Sequence, residues 1–86
     1  MNTPEADTRV AVISIIVEEP SCVPAINEIL HAAAGSIIGR MGIPYREKNI
    51  SIISVVVDAE LNVINNISGR LGRLPGATVK TAYSKQ

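Results

Sequence analysis

Phenylalanine and tryptophan are absent from this sequence, and its only aromatic side chains besides one histidine are two tyrosines. A core drawn from 86 residues of this kind must be filled by branched aliphatics, which favour pleated strands. One cysteine, Cys22, excludes an internal disulfide framework and fits a reducing compartment. No Ser-His-Asp set, paired-carboxylate site or metal-spaced Cys/His cluster occurs, so neither catalysis nor a particular cofactor or metal is expected. No apolar run approaches the ~20 residues of a membrane span. The amino-terminal MNTPEADTR has no basic region followed by an apolar one, so a soluble, cytoplasmic chain is expected. Net charge is lacking as well, with eight basic side chains against eight acidic. Without a positive field, a helix-turn-helix, a ribbon-helix-helix arm or a zinc finger, direct nucleic-acid binding is not expected.

The balance of charge hides an asymmetry. Residues 1–39 carry five acids and one base, whereas residues 40–86 carry seven bases and three acids. Solvated surface accounts for such runs in general. The sharper alternative is head-to-tail attraction, or an anion site near the middle of the chain.

Nearly half of the residues are hydrophobic, and they fall into periodic blocks. Val10–Val17, VAVISIIV, is β-branched and too short for an ordinary helix, and it reads as a strand. Ala11, Ile13, Ile15 and Val17 point one way and Val10, Val12 and Ile16 the other, so both faces are apolar and the strand is central. Ser21 is positioned to cap a helix with Pro24 in its first turn. Val23, Ile26, Ile29, Leu30 and Ala33 form that helix's apolar stripe, opposite Asn27, His31 and Ala34, and Gly35 is its natural stop. Ser36–Ile43 is a shorter strand whose glycines suit a sheet edge, a bulge or close approach of another backbone, and Pro44 ends it. Ile50–Val57 repeats the first strand's pattern. Asp58 can cap a second helix, with Glu60 in its first turn and Leu61, Ile64, Ile67 and Leu71 as its buried stripe. Gly69, inside that helix, points to a close helix-to-sheet contact, and Ala77–Tyr83 is a last alternating strand.

The halves echo each other. Val12–Val17 aligns with Ile52–Val57 at an offset of 40 residues, and Val23, Ile26 and Leu30 align with Ile64, Ile67 and Leu71 at an offset of 41. Two copies of a βαβ unit make one sheet. The expected fold is therefore α+β and ferredoxin-like, βαββαβ, a four-stranded antiparallel sheet with both helices on one face. It occupies residues 10–83, between a flexible tail at 1–9 and a short one at 84–86. Two helices cover only one face, while the central strands are apolar on both. An uncovered face would be larger than soluble monomers tolerate, so a homo-oligomer, at least a dimer, is expected through the open face or a sheet edge.

Chemistry concentrates between the halves. In RMGIPYREKNI, Arg40, Arg46, Glu47 and Asn49 bracket a Gly-Ile-Pro turn. A polar hairpin is the plain reading. The functional one is a pocket in which Arg46 holds an anionic group and Glu47 or Asn49 orients it. Cys22, in the first turn of its helix, is a packing residue, because no second Cys or nearby His supports redox or nucleophilic work. His31 lies nine positions further along and points away from Cys22, so the two cannot share a metal. Gly69–Gly76, GRLGRLPG, lacks the G-K-[ST] ending and the strand-glycine-helix order of a phosphate loop, and helix termination explains it better.

Three stretches in this order, NEILH (Asn27 to His31), R-x-G-I-P-x-R-E-K-N-I (Arg40 to Ile50) and S-G-R-L-G-R-L-P-G-A-T-V-K-T (Ser68 to Thr81), carry a family resemblance. The chain resembles the small regulators of the iron-only hydrogenase system, a family of stand-alone ACT-like domains. The resemblance implies a ferredoxin-like domain akin to the effector domains of ACT proteins and nickel-responsive repressors. It further implies an oligomer, and a role in hydrogenase expression or maturation exercised through a small-molecule effector or another regulatory protein. Two departures bear on the ligand. Glu18–Ser21 lacks the glycine near which many ACT domains bind amino acids, and Cys22 and His31 do not reproduce the nickel repressors' His and Cys set. The alternatives are a ligand-free structural subunit or a metal-responsive effector domain.

Overall fold

The structure is a computed structural model and describes residues 7–85. The expected tail at 1–9 therefore lies mostly outside the described residues. Strand β1 (Arg9–Val17) leads through a 3-10 turn (Pro20–Cys22) into helix α1 (Val23–Ala32). A second such turn (Ala34–Ser36) precedes strand β2 (Ile37–Tyr45), and a third (Arg46–Lys48) joins it to β3 (Ile50–Ala59). Helix α2 (Leu61–Gly72) and strand β4 (Ala77–Tyr83) complete the order. The strands form one antiparallel sheet in the order β2-β3-β1-β4, with the two central strands those whose residues are apolar on both faces.

The internal repeat is visible in the core. Ile13, Ile15 and Val17 on β1 are matched by Ile53, Val55 and Val57 on β3, and Ile26 and Leu30 on α1 by Ile67 and Leu71 on α2. All ten are buried between sheet and helices. Eight large side chains are fully buried, Ile13, Ile15, Ile26, Leu30, Val55, Val57, Ile64 and Leu71. Each contributes roughly 1.5–3 kcal/mol relative to exposure. Among the described residues no polar or charged side chain is buried, so this core has no internal hydrogen bonds to satisfy.

Local boundaries depart from sequence expectation where a competing interaction wins. Ser21 does not cap α1. Gly76 O accepts from Glu18 N and Glu19 N (2.7 and 3.1 Å), and a 3-10 turn follows, with Cys22 N donating to Glu19 O, so that Cys22 occupies the cap position. Helix α1 ends at Ala32, before Gly35, because Ala33 has already left helical geometry. Asp58 does not cap α2 either: β3 runs on to Ala59, pairing Asp58 with Val10 and Ala59 with Arg9, and α2 starts after Glu60 with no side-chain cap. Glu60 is thus the cap residue itself.

Pro44 stays inside β2, which is an edge strand and so has a side without a neighbour, where a missing N–H is tolerated. The register of β2 shifts between Ile37 and Gly39, the expected irregularity beside a glycine. Leu61 is not part of the α2 stripe; it lines a recess with Asp7, Thr8 and Arg9. Gly69 makes no close contact with the sheet, since a Cβ there would meet only the Arg73 guanidinium, at 3.8 Å.

Candidate functional site

Arg40, Arg46, Glu47 and Asn49 do not line one cavity together among the described residues. Pairing of β2 with β3 places Arg40 opposite Val55, whose side chain is buried beneath the helices, so Arg40 rises on the helix-covered side of the sheet. There its Nη2 donates to Asn27 Oδ1 on α1 at 3.3 Å. Arg46 and Asn49 lie at the far end of β2, in and beside the 3-10 turn, and line a small cavity of about 130 Å³ with Val17, Pro44 and Tyr45. Glu47 lines neither.

The turn that carries Arg46 and Asn49 has a local cause. Asn49 adopts left-handed backbone geometry (φ 56°, ψ 40°), and its N–H donates to Arg46 O at 3.1 Å. Asparagine is among the few residues with a side chain that tolerate this conformation. Asn49 is therefore accounted for by the turn, whatever else it does.

Arg40 stands at one wall of a larger cleft, about 700 Å³, between the exposed face of α1 and the start of β2. Helical spacing puts Pro24, Asn27, Glu28 and His31 along one side, because residues three and four apart share a face. Leu30, Ala34 and Ile37 make the apolar floor. Leu30 belongs to the core as well, being 2% exposed, so the floor is rigidly founded. Among the described residues Arg40 has no carboxylate partner; Asn27 alone orients it. The result is a cationic fork with open N–H groups facing a helix side that carries the Asn27 carboxamide, the Glu28 carboxylate and the His31 imidazole, over an apolar base. Such a cleft suits a small molecule with an anionic head and an apolar body.

In the sequence these parts are separate: Asn27, His31 and Ala34 share the helix face opposite the buried stripe with no site attached to them, and Arg40 groups with its neighbours in RMGIPYREKNI. The available signal was the Asn27–His31 spacing of four, a polar pair on a helix face directly preceding the strand that brings Arg40 back.

Cys22 is buried, and its Sγ–H points at Gly76 O, 3.7 Å away. It packs where the loop before α1 meets the turn before β4. Among the described residues no group of three or more His, Cys, Asp or Glu side chains could hold a metal ion, and no helix is long and apolar enough to cross a membrane.

The comparisons with known proteins bear on the whole domain. The solved structure of an uncharacterized protein from Thermotoga maritima, TM1266, superposes with a TM-score of 0.87 and 34% sequence identity, over 92% of this chain and all of the other. It shares the α+β, ferredoxin-like arrangement described above. No protein with a curated functional record matches the chain. A family model described as "TM1266-like: Iron-only hydrogenase system regulator, putative" matches residues 9–81, from the first residue of β1 to within two residues of the end of β4. Match, identity and superposition agree: the chain belongs to the TM1266-like family of iron-only hydrogenase system regulators.

Proposed function

We propose that this chain is a sensing module of the hydrogenase regulatory system, which reads a small anionic effector in the cleft between α1 and β2. The observation that carries the reading is Arg40, held by Asn27 at 3.3 Å and unpaired with any carboxylate among the described residues, at the wall of a cleft floored by Leu30 and Ile37. An arginine fork in this setting recognises carboxylate or phosphate bidentately, and the apolar floor selects the body attached to it. Glu28 and His31 on the same helix face add a second pole that discriminates among anions of different shape and protonation. The Arg46–Asn49 cavity is too small for more than a few water-sized groups and is the weaker candidate.

A regulator built this way converts occupancy into stability. A ligand that binds only the folded chain stabilises it by about 2.7 kcal/mol at one hundred times its Kd. A thermal-shift screen of small carboxylates, phosphates, nucleotides and divalent metals tests the proposal. A carboxylate or phosphate that raises Tm in the native chain, and no longer does so in Arg40→Ala, supports it. A shift unchanged in Arg40→Ala, or one abolished instead by Arg46→Ala, refutes the assignment of the cleft. If no compound acts at saturating concentration, the chain works as a ligand-free interaction subunit.

A further inference from the structure

The sheet face turned away from both helices holds six large apolar side chains that are more than a third exposed: Val10, Ile16, Met41, Ile43, Tyr45 and Ile52. The register sets them in rows across the strands, with Ile43 opposite Ile52 and Ile52 opposite Ile16. At the middle of the face the two central strands present Ser14 opposite Ser54, small side chains that let a second surface approach. Charge is confined to the margin. Lys80 sits on the outer strand β4 opposite Ser14, while Asp58 and Glu18 lie at opposite ends of the central strands. An apolar centre with a charged rim is the anatomy of a protein interface.

We propose that a second copy of this chain covers this face, sheet against sheet. The area fits. Four strands spaced about 4.8 Å apart, with about nine residues rising about 3.3 Å each, give a face of roughly 19 by 30 Å. That is somewhat under 600 Å² per partner in projection, or about 1,100 Å² for the pair, above the roughly 1,000 Å² in total that a specific interface must clear. Among the described residues nothing else supplies such a cover, since both helices pack on the opposite face.

Charge selects the relative orientation. A face-to-face pair has its two-fold axis in the plane between the sheets. If the axis crossed the strands at the serine row, Lys80 would meet the partner's Lys80 across the interface. With the axis along the strands and between β1 and β3, the edge strands exchange places. Lys80 then lies over Met41 of the partner subunit, its aliphatic stem covering apolar surface while the ammonium reaches the rim. The same operation sets Ile16 over Ile52 of the partner subunit.

Light scattering on the full chain tests this. Native protein should show at least twice the 9.1 kDa chain mass at tens of micromolar. Ile16→Lys and Ile52→Glu, both at positions more than a third exposed in one chain, should each leave the circular dichroism unchanged and weaken self-association by roughly 100-fold or more, since each buries an uncompensated charge. Mixing the two variants should restore the dimer, because the new charges face each other. Val63→Lys, 38% exposed on helix α2 and therefore on the other side of the sheet, is the control and should leave the mass unchanged. Monomeric native protein overturns the proposal, as does a dimer indifferent to both face substitutions. Failure of the mixture to reassociate overturns the strand-parallel axis.

Discussion

Gly76→Ala should be among the most damaging single-methyl changes available in this chain. Gly76 has φ +88°, and a Cβ built there would stand 2.7 Å from Glu19 Cβ and 2.8 Å from its Oε2. The left-handed backbone alone costs a residue with a side chain about 1 kcal/mol or more. The steric overlap is with a Cβ, which no rotamer change can move, so the backbone must shift. Gly76 O accepts from both Glu18 N and Glu19 N, and each of these bonds contributes about 1 kcal/mol when well formed. A total loss of about 2–4 kcal/mol follows, which for a domain of this size lowers Tm by roughly 10–25 °C. Urea unfolding followed by circular dichroism, at one fixed protein concentration so that assembly contributes equally, measures it. The same substitution in a Glu19→Gly background separates the causes. There the clash is gone, and the loss should fall to about 1 kcal/mol, leaving the conformational part. A loss below about 0.5 kcal/mol in the native background, or an equal loss in both, would refute the reasoning.

The core and the central turn give further expectations. Ile64→Ala, at a side chain with no exposure, should cost about 2–5 kcal/mol in the same urea assay, whereas Leu61→Ala, 46% exposed on the same helix, should cost less than about 1 kcal/mol. Equal losses would mean that α2 does not bury the face described. Asn49→Gly should change stability by no more than a few tenths of a kcal/mol, while Asn49→Val should lose about 1–2 kcal/mol, because a β-branched side chain resists positive φ. A valine variant as stable as the native chain would contradict the turn geometry.

The sequence patterns carried the architecture because the two halves repeat. An offset of 40 between strand patterns and 41 between helix stripes constrains element order and sheet face at once, and the buried sets on β1, β3, α1 and α2 follow it. Boundaries were less legible, since each depended on a partner distant in sequence. Asp58 has the chemistry of a cap, but Val10 across the sheet holds it in β3. Ser21 likewise gives way to the grip of Gly76 O on Glu18 and Glu19, more than fifty residues away. The distribution of the candidate site residues was hard to read for the same reason. Arg40 and Arg46 are near neighbours in sequence, yet Arg40 stands near the middle of β2 on its helix-covered side whereas Arg46 lies beyond the strand in the following turn, and the partner of Arg40 is Asn27 on a preceding helix. Periodicity marks Asn27 and His31 as one polar face, but only the sheet register says which strand residue rises beside them.

The cleft between α1 and β2 is most directly tested by mapping amide resonances while the effector found by thermal shift is titrated into isotope-labelled protein. Chemical-shift changes should concentrate at residues 25–34 and 37–40, with Asn27, His31 and Arg40 among the largest, and the turn at 46–49 should stay still. Changes centred on 45–51, with residues 25–40 unmoved, would contradict the account.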